Sequence, residues 1–475
     1  MTTRPPTPLP LLIATALACS VSFAVATSAC TRVDDSELDA DTALDAKLDS
    51  GGDSASDAGA PDAVKDAKTD IGGELPAPAK ELCGNILDDD GDGLIDEASC
   101  YPGPNLRPDQ QWTDLGVVPL AAVAGPAPVR TFSAALKNQG ISAFARDLTA
   151  TKAYVWGESL LTPSGLQVLT PGAWATSGNR GYVGLGYATL QIGMAPQISV
   201  VAGPWTFGFT RSSNLPTAYK GTPQAGSLHV GVLSRPDLPV NQAGKLDLNI
   251  YCVGGAPMPC AQLANHMQWK LILAKINAVW KLSGVELGTV EMIDLDGDLG
   301  SKFKYLDNVF AGDSSNELNQ VYQAVGKLRP QSTAATLVLV SAIQDNGLPV
   351  AAGLSQLGGL NGFPDLRVGG MAVAFQEEQW KLALNQPAIS SYSADVWGLV
   401  IAHEIGHLLG LWHTDEGDAS LHDPIEDTPQ CTASGGVLTP DACPVQSKYL
   451  MFWSPKGATL TAGQSKVARL NPMLR

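Results

Sequence analysis

The sequence predicts an α/β (α+β) domain over residues 240–475. An all-β, sandwich-like domain at 107–235 and a disordered acidic tether at 31–80 precede it. Three observations predict this. After Lys245, strand-like and helix-like hydrophobic periods alternate and lead to a long apolar helix near the C-terminus. Residues 107–235 are filled with short alternating segments broken by Gly, Pro and Asn. Charge is confined to one stretch: residues 33–100 hold 20 acids and 4 lysines, while the whole chain carries −17, so the remainder is nearly neutral. No clustered Lys and Arg mark a nucleic-acid partner.

The N-terminus reads as an export signal over residues 1–29. Arg4 supplies the positive end, an apolar run spans Leu9 to Ala26, and small residues close it at Ala24-Val-Ala26 and Thr27-Ser-Ala-Cys30. Cys30 after three small residues resembles a relaxed bacterial lipobox, with Thr27 where Leu is usual; Cys19 is a weaker second candidate. The expectation is a bacterial protein exported either as an outer-membrane or cell-surface lipoprotein anchored at Cys30, or as a freely secreted one. The tether is rich in Asp, Ala and Ser and has no aromatic residue, so it cannot bury a core. As a flexible coil its fifty residues reach about 35–40 Å.

Residues 81–102 enclose "CGNILDDDGDGLIDEASC". Asp88, Asp90 and Asp92 alternate, Gly93 follows, and Ile95 holds the apolar position, as in the first half of an EF-hand loop. Ser99 stands where that loop has its bidentate Glu. Two readings remain: a Cys-bracketed Ca2+ motif, or more solvated tether. Cys83, Cys100, Cys252, Cys260, Cys431 and Cys443 fall into three close pairs. In an oxidising compartment the simplest pairing is Cys83–Cys100, Cys252–Cys260 and Cys431–Cys443.

In the β region "KAYVWGESLL", "GYATLQIGM" and "GPWTFGFTRS" read as strands, and no catalytic constellation is visible. In the α/β region strands are expected at 245–253, 285–295, 335–343 and 367–375, with helices at 261–284 and Asn316–Leu328. A Gly-rich stretch spans Gly347–Gly362, and "ADVWGLVIAHEIGHLLGLWH" predicts the long helix. The alternating acids of "DLDGDLG" (294–300) read as a solvated turn.

That helix carries His403-Glu404-x-x-His407-x-x-Gly410-x-x-His413. Residues four apart share a helix face, so His403 and His407 present two imidazoles to one Zn2+. Glu404 stands beside them as a general base. Gly410 tolerates positive φ, so the chain turns there and returns His413 as a third ligand. Three protein ligands leave a position open for water, which marks catalytic zinc.

The extended motif resembles the metzincin metallopeptidases, and further residues resemble the pappalysin family among them. "HDPIEDTPQC" matches that family's stretch after the third histidine at Asp423, Ile425, Asp427, Thr428, Pro429 and Cys431, with His422 in place of a Gly. Cys443 follows, then "KYLMFW", with Met451 at the Met-turn, then "LTAGQSKVARL", similar to the family's closing helix. The resemblance covers residues 240–475. It implies a mixed twisted sheet beside the active-site helix, a Zn2+ endopeptidase acting on protein or peptide substrates, and a Ca2+ loop at Asp423 and Asp427. Those two acids also fit loop capping through backbone N–H groups, and Met451 also fits an ordinary core position. The family's Tyr two residues after the Met is Trp453 here, which can only donate N–H. Tyr449 lies at the wrong offset, and His422 reads as a surface histidine. The rival class is a catalytically inert, zinc-containing surface binding lipoprotein.

Overall fold

The computed structural model describes residues 106–475 apart from interruptions, the longest being 170–181, 356–368 and 375–386. The export signal, Cys30, the tether, Asp88, Asp90, Asp92 and the Cys83–Cys100 pair lie outside the described residues. The strands are β1 (Gln111–Leu120), β2 (Val129–Ala134), β3 (Gly140–Asp147), β4 (Tyr154–Leu161), β5 (Gln167–Leu169), β6 (Tyr182–Leu185), β7 (Tyr187–Ile192), β8 (Gly203–Ser212), β9 (Gly226–Arg235), β10 (Gly244–Val253), β11 (Val285–Leu295), β12 (Tyr305–Leu306), β13 (Ala335–Val340), β14 (Ala342–Asp345), β15 (Leu348–Ala351), β16 (Gly353–Ser355) and β17 (Met371–Ala374). The helices are α1 (Cys260–Asn265), α2 (Met267–Lys281), α3 (Gly297–Lys302), α4 (Glu317–Leu328), α5 (Pro387–Leu408) and α6 (Ala462–Arg469).

β1 to β9 form one antiparallel sheet in the order β1-β9-β3-β7-β6-β4-β8-β2, with β5 beside β4. The expected two-sheet sandwich is therefore corrected to a single curled sheet. Its two edges approach each other, and Arg130 of β2 spans them by donating to the Leu115 and Val117 carbonyls of β1 at 3.2 and 2.9 Å. Curling lets one sheet enclose its own core, with Val155, Leu190, Trp205, Phe207 and Val232 fully buried inside.

The second sheet is mixed, in the order β11-β10-β13-β17-β16. Its first four strands run parallel and β16 lies antiparallel at the edge. β13 is buried along its whole length, as a parallel strand covered on both faces should be. Its side chains alternate between two cores: Leu337 and Leu339 face α2 and α5, while Val338 and Val340 face α4. The expected helix at 261–284 is split in two. His266 is extended (φ −71°, ψ 136°) and its Nδ1 accepts from the Gln268 N–H at 3.2 Å, so it caps α2. Gly398 brings α5 against α2, since a Cβ there would lie 2.6 Å from Lys275 Cβ.

The curled sheet does not stand apart from the rest. Phe144 and Leu233 belong to the same buried cluster as α2 and α5. Arg235, 1 % exposed, donates to the carbonyls of Asn471 at 3.1 Å, Pro236 at 2.7 Å and Arg469. The last residue pairs its backbone with Lys245 in both directions, at 2.7 and 3.0 Å. Arg235→Ala would remove all three hydrogen bonds of a buried guanidinium, two of which join β9 to the C-terminal segment. It is expected to lower stability by about 3 kcal/mol, read as a shift of the denaturation midpoint in urea; a change below about 0.5 kcal/mol contradicts this packing.

Candidate metal centre

α5 ends where the sequence needs it to end. The Gly410 N–H bonds the His407 carbonyl and the Leu411 N–H bonds the Gly406 carbonyl, both at 2.9 Å, which is the Schellman pattern. Gly410 takes φ +96°, which favours glycine. The expected helix through His413 therefore stops at Leu408, and the next residues swing His413 back over the helix.

The three imidazoles then converge. His413 Nε2 lies 3.2 Å from His403 Nε2 and 3.1 Å from His407 Nε2. All three side chains are buried. Each Nδ1 has its own acceptor: the Leu450 carbonyl at 2.7 Å for His403, the Leu411 carbonyl at 2.8 Å for His407, and the Glu416 carboxylate at 2.8 Å for His413. Those partners put the proton of each ring on Nδ1 and leave a lone pair on each Nε2. Three lone pairs aimed at one point have no proton to share, and they repel unless a cation sits between them. Nitrogens at 2.0–2.1 Å from a tetrahedral zinc would be about 3.3–3.4 Å apart, close to the observed spacing. The donor set therefore fits a divalent metal.

Electrostatics agree. Burial first, then His413, holds His403 down at about 3. Burial, then His413 and His403, holds His407 well below the usual imidazole range. Neutral imidazoles are what a metal requires. Glu404 is equally buried, and desolvation pushes its carboxyl up to about 8. It faces the sheet edge: a Cβ on Gly353 of β16 would come within 2.5 Å of Glu404 Oε1. Glycine at 353 is what lets the edge strand pass so close to this carboxyl.

Met451 is fully buried, with its sulfur pressed against Gly406, one residue before the second ligand. The Met451 carbonyl accepts from the Thr414 N–H at 2.8 Å, so Leu450 and Met451 together hold His403 and the segment carrying His413. Trp453 has its one polar group engaged elsewhere. Its Nε1–H donates to the Leu438 carbonyl at 2.7 Å, and its ring packs with Phe452 and the Cys431–Cys443 disulfide. The other described disulfide is Cys252–Cys260. Asp294 sits beside it, but its carboxylate accepts from the Cys260 N–H at 2.6 Å, and both sulfurs are in the disulfide. The turn expected at 294–300 holds the short helix α3.

Asp423 and Asp427 make capping contacts. Asp423 accepts from the Ile425 N–H at 3.1 Å and the Gln464 side chain at 3.3 Å; Asp427 accepts from the Gly463 N–H at 2.9 Å, at the start of α6. Burial pushes the Asp423 carboxyl up to about 7. His422, expected on the surface, is partly buried and pairs with Asp415 at 2.6 Å. Asp415 also accepts from the Cys431 N–H at 3.0 Å, which ties this loop to the disulfide. Glu416 is the functional residue that the motif alone did not supply. A carboxylate three positions after the third histidine was its only signal.

No family model matches the chain, and no curated protein does. Among solved structures, metalloproteinase-II from Bacteroides fragilis is similar at 15% identity over 55% of this chain and 62% of that one, with a TM-score of 0.23. The chain thus spans about 62% of that protein's length.

Glu416→Gln keeps the shape but removes the charge that polarises His413. It is expected to weaken zinc binding roughly 10–100-fold, measured against a competing chelator; unchanged affinity refutes the role.

Proposed function

We propose that the chain is an exported zinc endopeptidase of the pappalysin-like metzincin kind, either anchored by a lipid on Cys30 or secreted. One observation carries the proposal: three buried imidazole lone pairs converge on one point beside a buried carboxyl, at the edge of a sheet. His403, His407 and His413 would hold the metal. Zinc, when bound, supplies Lewis-acid chemistry that polarises a carbonyl and acidifies water.

The residues of the chain do the rest. Glu404 sits in a dry environment that makes its carboxylate a stronger base than one in water, and metal charge nearby would draw that value back down. Its Oε1 would take a proton from the attacking water and return it to the leaving amine. β16 pairs with β17 on one side. Among the described residues its other edge is unpaired, and its main-chain groups would take an extended peptide as one more strand. Gly353 leaves Glu404 room at that edge. Trp453 gives its N–H to Leu438 and supplies nothing to a developing oxyanion.

That last observation favours the rival, a zinc-containing binding lipoprotein without turnover. The two readings separate on one comparison. Glu404→Gln should retain stoichiometric zinc and lose about 10²–10⁴-fold of chelator-sensitive peptide cleavage. Cleavage that persists undiminished in Glu404→Gln defeats the mechanism, and zinc without any cleavage by the wild-type chain selects the rival.

A further inference from the structure

Two buried amides outside the motif grip the end of α5. Gln191 lies on β7 of the curled sheet and is 2 % exposed; Asn471 follows α6 and is fully buried. Asn471 Nδ2 donates to Gln191 Oε1 at 2.9 Å and to the Leu408 carbonyl at 3.2 Å. Gln191 Nε2 donates to the Val467 carbonyl at 3.2 Å. Leu408 is the last residue of α5, where carbonyls lack helical partners, while the Val467 carbonyl in the last turn of α6 also accepts from the Leu470 N–H at 3.1 Å. The two amides therefore tie the two helix ends together. Gln191 also fills the space a side chain at 410 would need: a Cβ on Gly410 would lie 2.5 Å from its Oε1.

The turn they grip carries two of the three ligand settings. The Leu411 carbonyl orients His407 through Nδ1 at 2.8 Å, and His413 follows two residues later. A turn free to shift would move both nitrogens relative to His403, which is fixed independently by Leu450. The amides are buried, hydrogen-bonded to each other, and drawn from chain segments 280 residues apart.

We propose that Gln191 and Asn471 are positioning residues of the metal centre, which makes the curled sheet a working part of the site. The inference rests on the metal-site reading above, and it is tested by metal binding so that it does not depend on peptide cleavage. The variant is Gln191→Met in the full-length chain, which keeps the volume and removes the amide. Its zinc dissociation constant is expected to rise about tenfold, at the low end for groups behind the ligands. The visible absorption bands of the cobalt-loaded protein should shift, and if peptide is cleaved, kcat should fall while KM changes little.

Arg130→Ala is the control. Arg130 bonds the edge of the same sheet at Leu115 and Val117, so its loss should lower stability with zinc affinity and cobalt bands unchanged. If Gln191→Met loses stability but keeps the wild-type zinc affinity and cobalt bands, the proposal is overturned and the amide is only structural. Should Gln191→Met fail to fold, Gln191→Glu, which keeps the acceptor for Asn471, is read by the same two signals. A wild-type chain that binds zinc tightly but cleaves nothing defeats the peptidase proposal alone. A chain that binds neither zinc nor cobalt defeats both.

Discussion

Three imidazoles hold their lone pairs toward one another at hydrogen-bond distance, with no proton available between them. Most of the architecture around them exists to hold that arrangement. Each ring is fixed from behind by a different piece of the chain: the loop at Leu450, the turn at Leu411, and Glu416 just past the third ligand. Removing any one acceptor frees a ring to choose the other tautomer, which would point a proton at the metal position. The geometry is therefore as dependent on these acceptors as on the histidines.

Close backbone approach is the second requirement, and glycine meets it at the points of tightest contact. Gly398 brings α5 onto α2, Gly406 leaves space for Met451, and Gly353 passes beside Glu404. Gly410 combines a left-handed turn with contact against Gln191. Trp280 adds a direct tie, donating from its indole N–H to the Ala402 carbonyl at 3.1 Å, one residue before the first ligand. The helix is thus pinned at its middle by α2 and at its end by the curled sheet and the C-terminal segment.

Much of this was legible in the sequence, for physical reasons. Spacing of four puts His403 and His407 on one helix face whatever surrounds them. Gly410 announces the turn, and close spacing favoured the neighbour pairing seen at Cys252–Cys260 and Cys431–Cys443. The apolar run at 335–343 reads as a strand, and β13 within it is buried along its whole length. The misses share one cause: local pattern reports which face of a segment is apolar, not what lies against it. Alternation in 107–235 fits a sandwich and a single curled sheet equally well. Nothing local to Trp453 shows that its N–H turns to Leu438. Gln191 and Asn471 read as ordinary polar residues until the fold brings them together. The break at His266 was hidden because α1 and α2 continue the same helical period.

The central claim is that the chain presents three nitrogen ligands to one metal ion and no sulfur. Zinc K-edge X-ray absorption on the purified full-length protein tests it most directly. The account predicts one zinc per chain, a first shell at about 2.0–2.1 Å, and outer-shell scattering from three imidazole rings that drops to two in His413→Ala. A sulfur shell near about 2.3 Å, or an imidazole count unchanged by that substitution, would contradict it.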